Sequence, residues 1–332
     1  MEMDHMLKGG TRGTGRPAER EAGMPMVSII TVVFNSVTLL ERTILSILGQ
    51  TYPNIEYIII DGGSRDGTVE IIRKYEDRIA FWISEPDKGL YDAMNKGLAA
   101  ATGDFVWFLN SGDLVYETDT LEKVFKDFET VRLLDQETGR IGDQETKRLG
   151  DLETRSAPVT GVSAVVGRPS AVIYYGDTMV VDANYHEIGL RRLRPPEQLT
   201  WKSFRKGMLV CHQAILVHRS IAEPYNLRYR YSADFDWVLN ALRRAQGQVG
   251  VGVGVGVGVG VGVGVSGGGR VRNTGMVLCA FLDGGQSKKT IRASLIERFD
   301  IMRRNYGLIP TVMRHVPIAV RFVGYLLLNR RF

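Results

Sequence analysis

The sequence has few cysteines, no long apolar run and no charge excess that extends along its whole length. Its two cysteines, Cys211 and Cys279, are too few for a disulfide framework. No charged-then-apolar leader with a small-residue cleavage site opens the chain, so we expect two reduced thiols in a cytoplasmic protein. The apolar stretch 317–328 is interrupted by Arg321 and is shorter than the roughly 20 residues of a membrane-spanning helix. We therefore expect no transmembrane segment.

The basic charge is concentrated at the C-terminus. The formal net charge is +5, but residues 288–332 hold ten Lys or Arg and two acids, so the rest of the chain sums to −3. This distribution does not favour nucleic acid as a partner. In the tail, basic and apolar residues interleave as they do in a peripheral membrane-surface helix, or in a helix packed on its own domain, and both interpretations stay open. The basic residues are Arg314, Arg321, Arg330 and Arg331, and the apolar ones are Val316, Ile318, Phe322, Tyr325 and residues 326–328.

Strand-like and helix-like segments alternate from Val27 onward. The β-branched run 27–33 is typical of a strand covered on both faces. Further apolar strands are predicted at 55–60, 79–84 and 105–109, each separated from the next by a segment of helical periodicity. This alternation predicts an α/β fold with a mostly parallel central sheet flanked by helices.

Composition divides the rest of the chain. Residues 1–24 have no apolar period and predict a disordered leader. We predict a single domain over 25–290, interrupted by an insertion at about 130–170 that contains an internal repeat and by a Val-Gly alternation at about 247–272. The alternation has Gly-x-Gly spacing, but it follows a helix and lacks a downstream acid, which argues against a dinucleotide loop. A basic helical extension over 288–332 completes the chain.

Three acids stand where predicted strands end: Asp61, Asp87 and Asp113. The carboxyl ends of parallel strands line the ligand crevice of an open sheet, so these acids should converge on one site. Each alone could be a turn residue that accepts hydrogen bonds within its own loop. Together they suit a phosphorylated sugar donor. Asp113 is the candidate ligand of a divalent metal, while Asp61 and Asp87 suit the base and ribose.

The chain resembles the family-2 glycosyltransferases in several consecutive segments. The segments are 27–35, 61–68, 84–97 and 108–113, followed more loosely by 211–214, 233–236 and 281–287. The resemblance implies a GT-A fold, a nucleotide-sugar donor, most often a UDP-sugar, a Mg or Mn ion, and a single displacement that inverts the anomeric centre. It also implies a polysaccharide, lipid-linked or other cell-envelope acceptor. It does not extend to the leader, the insertions or the last forty residues.

The resemblance also assigns donor-site roles by position. Its nucleotide-sugar-binding residues fall on Thr31, Val33, Asn35, Asp61, Asp87, Lys88 and Ser111. Its metal ligand falls on Asp113, but the second acid that the family motif commonly carries is absent, since Asn110 and Gly112 stand nearby instead. A strict metal requirement is therefore left open. A catalytically degenerate nucleotide-sugar-binding protein is the alternative function.

The family places its catalytic base at the start of a later helix, and Asp234 matches that position. Asp236 also lies there, but side chains two residues apart on a helix point about 200° apart, so only one can face the site. We assign the base to Asp234 and keep Asp236 as the alternative. An acid at a helix start also has a purely structural interpretation, as a partner of the helix dipole. His212 is either a structural histidine or a contact to the donor phosphate or acceptor.

Overall fold

The computed structural model describes residues 6–14, 21, 23–126, 171–247, 270–284 and 291–316. The strands are β1 (Leu7–Gly9), β2 (Val27–Val33), β3 (Ile55–Asp61), β4 (Phe81–Ser84), β5 (Phe105–Phe108), β6 (Leu114–Val115), β7 (Ile173–Val181), β8 (Glu187–Leu190), β9 (Ile215–His218) and β10 (Val271–Leu282). The helices are α1 (Leu40–Leu48), α2 (Thr68–Lys74), α3 (Leu90–Ala100), α4 (120–126), α5 (Ala233–Ala245), α6 (Ile291–Tyr306) and α7 (308–316).

One sheet runs through the described part of the chain, in the order β1-β4-β3-β2-β5-β9-β7-β10-β6, with β8 paired to β7. The strands β4, β3, β2 and β5 are parallel to one another, as predicted. Every residue of β2 is buried, which is the expected state of a β-branched strand with both faces covered. The chain order reverses between β2 and β5, and ligands bind at such a switch point, beyond the carboxyl ends of the strands.

The second half of the domain extends the same sheet with both pairing directions. β9 is antiparallel to β5 and β7, whereas β10 is parallel to β7. One cluster of buried side chains spans the two halves, for example through the rings of Phe105, Phe125 and Tyr174. The fold class predicted from the sequence is therefore confirmed, with antiparallel strands added beyond β5.

The boundaries of the second insertion need correction. β10 begins at Val271, and Val271 and Arg272 pair with Ile173 and Tyr174 of β7, so the predicted insertion at 247–272 extends too far. These residues join the sheet because they are the first residues of the long strand β10. The other residues of that insertion from 248 to 269, and the whole insertion at 130–170, lie outside the described residues.

The prediction of a disordered leader over 1–24 is wrong for its described strand. β1 pairs antiparallel with β4, with Leu7 opposite Ser84. An edge strand has unpaired backbone groups, and even a three-residue partner can satisfy them. The Arg12 guanidinium then forms an ion pair with the buried carboxylate of Glu56, which fixes this segment beneath the amino ends of the parallel strands.

Replacing Arg12 by alanine should lower the free energy of unfolding by about 1–2 kcal/mol, because Glu56 is left buried without its cation. The loss is limited because Ser28 and Thr102 still donate hydrogen bonds to that carboxylate. Urea denaturation measures the change. Arg73→Ala removes an exposed arginine from α2 and is the control, and an equal effect of both replacements would contradict a specific role of the ion pair.

Two helices, α6 and α7, lie within 291–316, in the segment for which the sequence predicts a helical extension. Tyr306 at the end of α6 stacks on Trp201, with ring centroids 5.4 Å apart. Arg243 of α5 donates a hydrogen bond to Asn305. α6 thus packs against the domain. Within the described residues, no helix is both long and apolar enough to cross a membrane. Residues 317–332 lie outside the described part of the chain.

Candidate active site

Asp61 ends β3 and is fully buried. Its Oδ2 accepts hydrogen bonds from the backbone N–H of Ser64 (2.9 Å) and Gly63 (3.2 Å) and from Ser84 Oγ (2.5 Å), and its Oδ1 accepts one from Ser64 Oγ. The bonds from Gly63 and Ser64 are the turn-type pattern that the sequence allows for an aspartate in a glycine loop. Asp61 therefore shapes the loop that follows β3.

Asn35 holds the loop after β2 against the same turn. Its backbone N–H donates to Ser64 Oγ (2.7 Å), and its side-chain Oδ1 accepts from the N–H of Arg65 (3.0 Å). Its φ of 46° lies in the left-handed region, which asparagine tolerates better than most residues. The two loops are thereby joined at the carboxyl edge of the sheet.

Thr31 and Val33 do not reach that edge with their side chains. Thr31 has no exposed surface, and its Oγ1 accepts a hydrogen bond from Tyr57 at 3.2 Å. Val33 is 5% exposed. Both lie in β2, which is covered on both faces, so the structure does not support direct side-chain contact between these residues and a donor. The exposed side chain at this point is Phe34, 62% exposed, which sequence analysis did not single out.

Asp87 and Phe34 meet above a glycine. A Cβ placed on Gly62 would collide with Asp87 Oδ2 and would lie 3.3 Å from the Phe34 ring, so glycine allows both side chains to approach the loop. Asp87 is half-buried and accepts a hydrogen bond from Gly89 N–H at 2.7 Å. Lys88 is exposed beside it. An aromatic ring next to a carboxylate and an ammonium group can bind a nucleotide by stacking and polar contacts.

Ser111 lies across the switch point between β2 and β5. Its Oγ is 2.8 Å from Ser36 Oγ, and its backbone N–H donates to Val32 at 3.3 Å. The loop after β5 is therefore tied to the loop after β2 at the carboxyl edge of the sheet.

Asp113 is 5% exposed, so it is nearly as buried as Asp61, whereas Asp87 is only half-buried. Its Oδ2 accepts from Gln213 Nε2 (3.0 Å), and its Oδ1 accepts from the backbone N–H of Leu282 (3.2 Å). Burial raises the pKa of the Asp113 carboxyl to about 6, although both hydrogen bonds act to lower it. On the same turn, Asn110 Oδ1 is buried without a hydrogen-bond partner in the described structure.

Asp234 lies in the first turn of α5, beside two side chains that can orient it. Its Oδ2 is 3.5 Å from His212 Nδ1, and its Oδ1 accepts a hydrogen bond from the Tyr91 hydroxyl at 3.1 Å. Burial raises the pKa of Asp234, but the hydrogen bond and charge of His212 and the charge of Arg298 outweigh it and hold that pKa below its usual value. The carboxylate is therefore ionised and held at two points.

His212 links the two halves of the site. It begins a short 3₁₀ helix, His212–Ala214, whose next residue is the Gln213 that binds Asp113. Its Nε2 lies 3.4 Å from Asn110 Nδ2, on the turn after β5. A continuous set of contacts therefore runs from Asp113 through this segment to Asp234. Gln213 and Tyr91 both lie in motifs quoted above, but neither their residue types nor their spacing indicates a role at the site.

Asp236 faces away from this cluster. It is 8% exposed, accepts a hydrogen bond from Asn240 at 3.3 Å, and lines a separate cavity with Glu223 and Trp237. Burial raises its pKa. The expectation that only one of Asp234 and Asp236 can join the other site residues thus agrees with the geometry.

The described residues contain no group of three His, Cys, Asp or Glu side chains placed to hold a metal ion. Asp113 therefore belongs to no such group among these residues. Its two oxygens have about four lone-pair positions and use two of them within the protein. A Mg²⁺ ion usually binds one or two protein carboxylates and takes its remaining ligands from water and substrate phosphates. Asp113 and the unpartnered Asn110 Oδ1 meet that limited requirement.

Comparison with known proteins gives the same fold and family. The model of glycosyl transferase family 2 matches residues 28–157. An uncharacterised glycosyltransferase of Mycobacterium tuberculosis is 51% identical over 222 residues, which cover 65% of this chain and 69% of that protein. A PGL/p-HBAD biosynthesis glycosyltransferase of Mycobacterium bovis is 31% identical over 64% of this chain and 68% of its own.

Among solved structures, S. aureus TarS 1–349 superposes with a TM-score of 0.51 at 12% identity, covering 87% of this chain and 72% of that one. This likeness concerns the fold alone. The relative that shares half of its aligned residues, together with the sheet and the strand-end loops described above, identifies the chain as a member of glycosyltransferase family 2.

Proposed function

We propose that the protein transfers a sugar from a nucleoside-diphosphate donor to a hydroxyl group of a carbohydrate or lipid-linked acceptor, with inversion at the anomeric carbon. The observation that carries the proposal is the position of the Asp234 carboxylate, which is held by His212 and Tyr91, next to the Gln213 that binds Asp113. An oriented base beside a diphosphate-binding edge is what a single displacement needs. The relative named for PGL/p-HBAD biosynthesis supports a biosynthetic acceptor of this kind.

The donor's nucleotide is assigned to the loops after β2, β3 and β4. Phe34 would stack on the base, Asp87 would accept a hydrogen bond from the base or ribose, and Lys88 would pair with phosphate. Asp61 and Asn35 contribute by holding these loops in place. UDP is the favoured nucleotide, and TarS, which shares the fold, has been solved with UDP-GlcNAc.

When bound at Asp113, a Mg²⁺ or Mn²⁺ ion would neutralise charge that develops on the leaving diphosphate. Asp234 then takes the proton of the acceptor hydroxyl. The acceptor oxygen forms the new bond to the anomeric carbon, and the bond from that carbon to the diphosphate oxygen breaks, so that the nucleotide leaves with the electron pair. His212 and Tyr91 keep the carboxylate fixed, and their hydrogen bonds stabilise its charged form before the proton moves.

Replacing Phe34 by alanine should weaken the binding of UDP about tenfold, because loss of base stacking on an aromatic ring costs an amount of this order. Isothermal titration of UDP into the purified chain measures the change. Phe34→Tyr keeps the ring and should bind normally, and Leu45→Ala removes a similarly exposed apolar side chain from α1 as a control. UDP affinity that is unchanged in Phe34→Ala would contradict the assignment.

Replacing His212 by glutamine should shift the acidic limb of the pH–rate profile to higher pH. The base acts only when Asp234 is ionised, so the rate falls as pH drops through its pKa. The wild-type pKa is depressed by His212 and Arg298, and without His212 the effect of burial is opposed mainly by Arg298. The measurement is kcat/KM between pH 4 and pH 8, with Tyr91→Phe for comparison. A lower rate with an unshifted limb would mean that His212 is structural only.

A screen of nucleotide sugars tests the function as a whole. The purified chain is incubated with UDP-, GDP- and dTDP-sugars, Mg²⁺ or Mn²⁺ and a membrane extract, and labelled product is counted. Turnover of at least one donor is expected. Nucleotide binding by calorimetry without any transfer would instead favour the degenerate nucleotide-binding protein, and neither binding nor transfer would refute the proposal.

A further inference from the structure

α7 exposes one continuous apolar face. Leu308, Ile309, Val312, Met313 and Val316 are between 41% and 73% exposed, whereas Thr311 on the opposite side is fully buried. Their spacing of one, three and four residues places all five side chains on the same side of a helix. A helix at the surface of a water-soluble domain normally turns such a face inward. Here the polar threonine is inside and the apolar stripe is outside.

A cavity of about 410 Å³ lies beside this face. Its floor includes Met302, Tyr306 and Met313, and its basic residues are Arg205 and Arg314, both of which are exposed. Neither arginine has an ion-pair partner among the described residues; Arg205 instead stacks over the Tyr306 ring at 5.1 Å. Guanidinium groups next to an apolar floor suit a phosphate ester attached to a hydrocarbon chain.

We propose that α7 docks the protein on an anionic phospholipid bilayer. The apolar face would enter the boundary between headgroups and acyl chains, and Arg205 and Arg314 would bind lipid phosphates. Charge complementarity favours a lipid surface over a second copy of the chain, since residues 288–332 carry ten basic and two acidic residues and two copies of this region would repel each other. Lys202 and Lys206 are exposed on the same 3₁₀ helix as Arg205 and add to the positive surface.

α6 connects this surface to the helix of the proposed base. Near its start, Ser294 Oγ lies 2.8 Å from Ser232 Oγ, and Glu297 accepts a hydrogen bond from Tyr231 N–H at 2.8 Å. From Ser294 to Tyr306, a helix rises about 18 Å. Docking would therefore hold Asp234 near the bilayer surface. The position of Asp234 near a bilayer matters for a lipid-linked acceptor, so that consequence rests on the proposed function. The docking itself does not rest on the proposed function.

Vesicle co-sedimentation of the full chain tests the proposal. Vesicles of phosphatidylglycerol and phosphatidylcholine in equal parts should pellet the protein, and vesicles of phosphatidylcholine alone should pellet far less. Ile309→Glu with Met313→Glu should lower the partition coefficient by about tenfold or more, since it places charge in the apolar boundary. The double variant Arg205→Glu with Arg314→Glu should also have a lower partition coefficient. Added salt should lower the partition coefficient of the wild type in the same way, because salt screens the attraction between arginine and phosphate.

Two controls match these variants. Leu45→Glu and Ile188→Glu replace exposed apolar residues elsewhere, and Arg73→Glu with Arg192→Glu makes the same change in net charge as the arginine pair. Both should bind like the wild type. UDP affinity, measured on the same samples, should be unchanged in the α7 variants, so a failure of docking is distinguishable from a failure of the proposed function.

Several results would overturn the docking proposal. A wild-type protein that pellets with neither kind of vesicle would overturn it. So would vesicle binding that survives in the double variant Ile309→Glu with Met313→Glu, or vesicle binding that the control variants lose to the same extent. A dimer that this variant separates, without vesicle binding by the wild type, would assign the face to a second copy. If the Ile309→Glu with Met313→Glu variant melts at a much lower temperature than the controls, and the wild type does not bind vesicles, the apolar face would be assigned to residues 317–332 of the same chain.

Discussion

Replacing Asp234 by asparagine is expected to lower kcat by about 10²- to 10⁴-fold while the dissociation constant of the nucleotide sugar stays the same. Asparagine has the same shape, and its side-chain oxygen can still accept the hydrogen bond from Tyr91, so the site keeps its geometry. Its amide cannot take the proton of the acceptor hydroxyl. Initial rates with labelled donor measure the first quantity and calorimetry with the donor measures the second.

Asp236→Asn is the matched control, since it makes the same chemical change two residues along α5. Asp236 lines a separate cavity with Asn240, so this variant should keep a rate within a few-fold of the wild type. If Asp234→Asn were near normal and Asp236→Asn were slow, the base would be Asp236. If both were slow and both had lost donor affinity, the effect would lie in the packing of α5 instead.

The choice between these two acids shows which features sequence analysis can predict. A helix advances by a fixed angle per residue, so the divergence of Asp234 and Asp236 follows from their spacing alone. The same holds for β2, where a nearly unbroken β-branched run predicts burial on both faces. Such features depend only on near neighbours in the chain, and the structure agrees with them closely.

Features that depend on distant partners were not predictable in this way. The resemblance that assigned Thr31 to the nucleotide-sugar site could not show that the Tyr57 hydroxyl would donate a hydrogen bond to its Oγ1 inside the core. The three residues of β1 have no periodicity, and their pairing depends on the free edge of β4. Likewise, the contact between His212 and Asp234 joins two elements with 21 residues between them. Each of these outcomes is decided by tertiary packing.

The proposed site also places its acids in different environments, which the sequence alone does not reveal. Asp61 accepts hydrogen bonds from its own turn and from Ser84, Asp113 is buried with an elevated pKa, and the pKa of Asp234 is held low by His212. Acids whose pKa values are driven in opposite directions commonly have different roles in catalysis. The three strand-end acids are thus unequal, and the residue assigned to proton transfer lies outside that group.

Replacing Asp113 by asparagine is expected to abolish the gain in UDP affinity that Mn²⁺ provides and to lower kcat by about 10²-fold or more, because the only carboxylate assigned to the metal is lost. Calorimetric titration of UDP with and without Mn²⁺ gives a readout that does not depend on turnover. Asp119→Asn removes an exposed carboxylate from the segment after β6 and should leave both quantities unchanged.

Because Gln213 and Leu282 donate hydrogen bonds to Asp113, the Asn variant could also lose stability, and its thermal midpoint must be measured alongside. A folded Asp113→Asn protein whose UDP affinity still rises with Mn²⁺ would show that the metal is held elsewhere. A wild type whose affinity and rate are both indifferent to Mg²⁺, Mn²⁺ and chelator would show that Asp113 acts through its hydrogen bonds to Gln213 and Leu282, with no metal at this position.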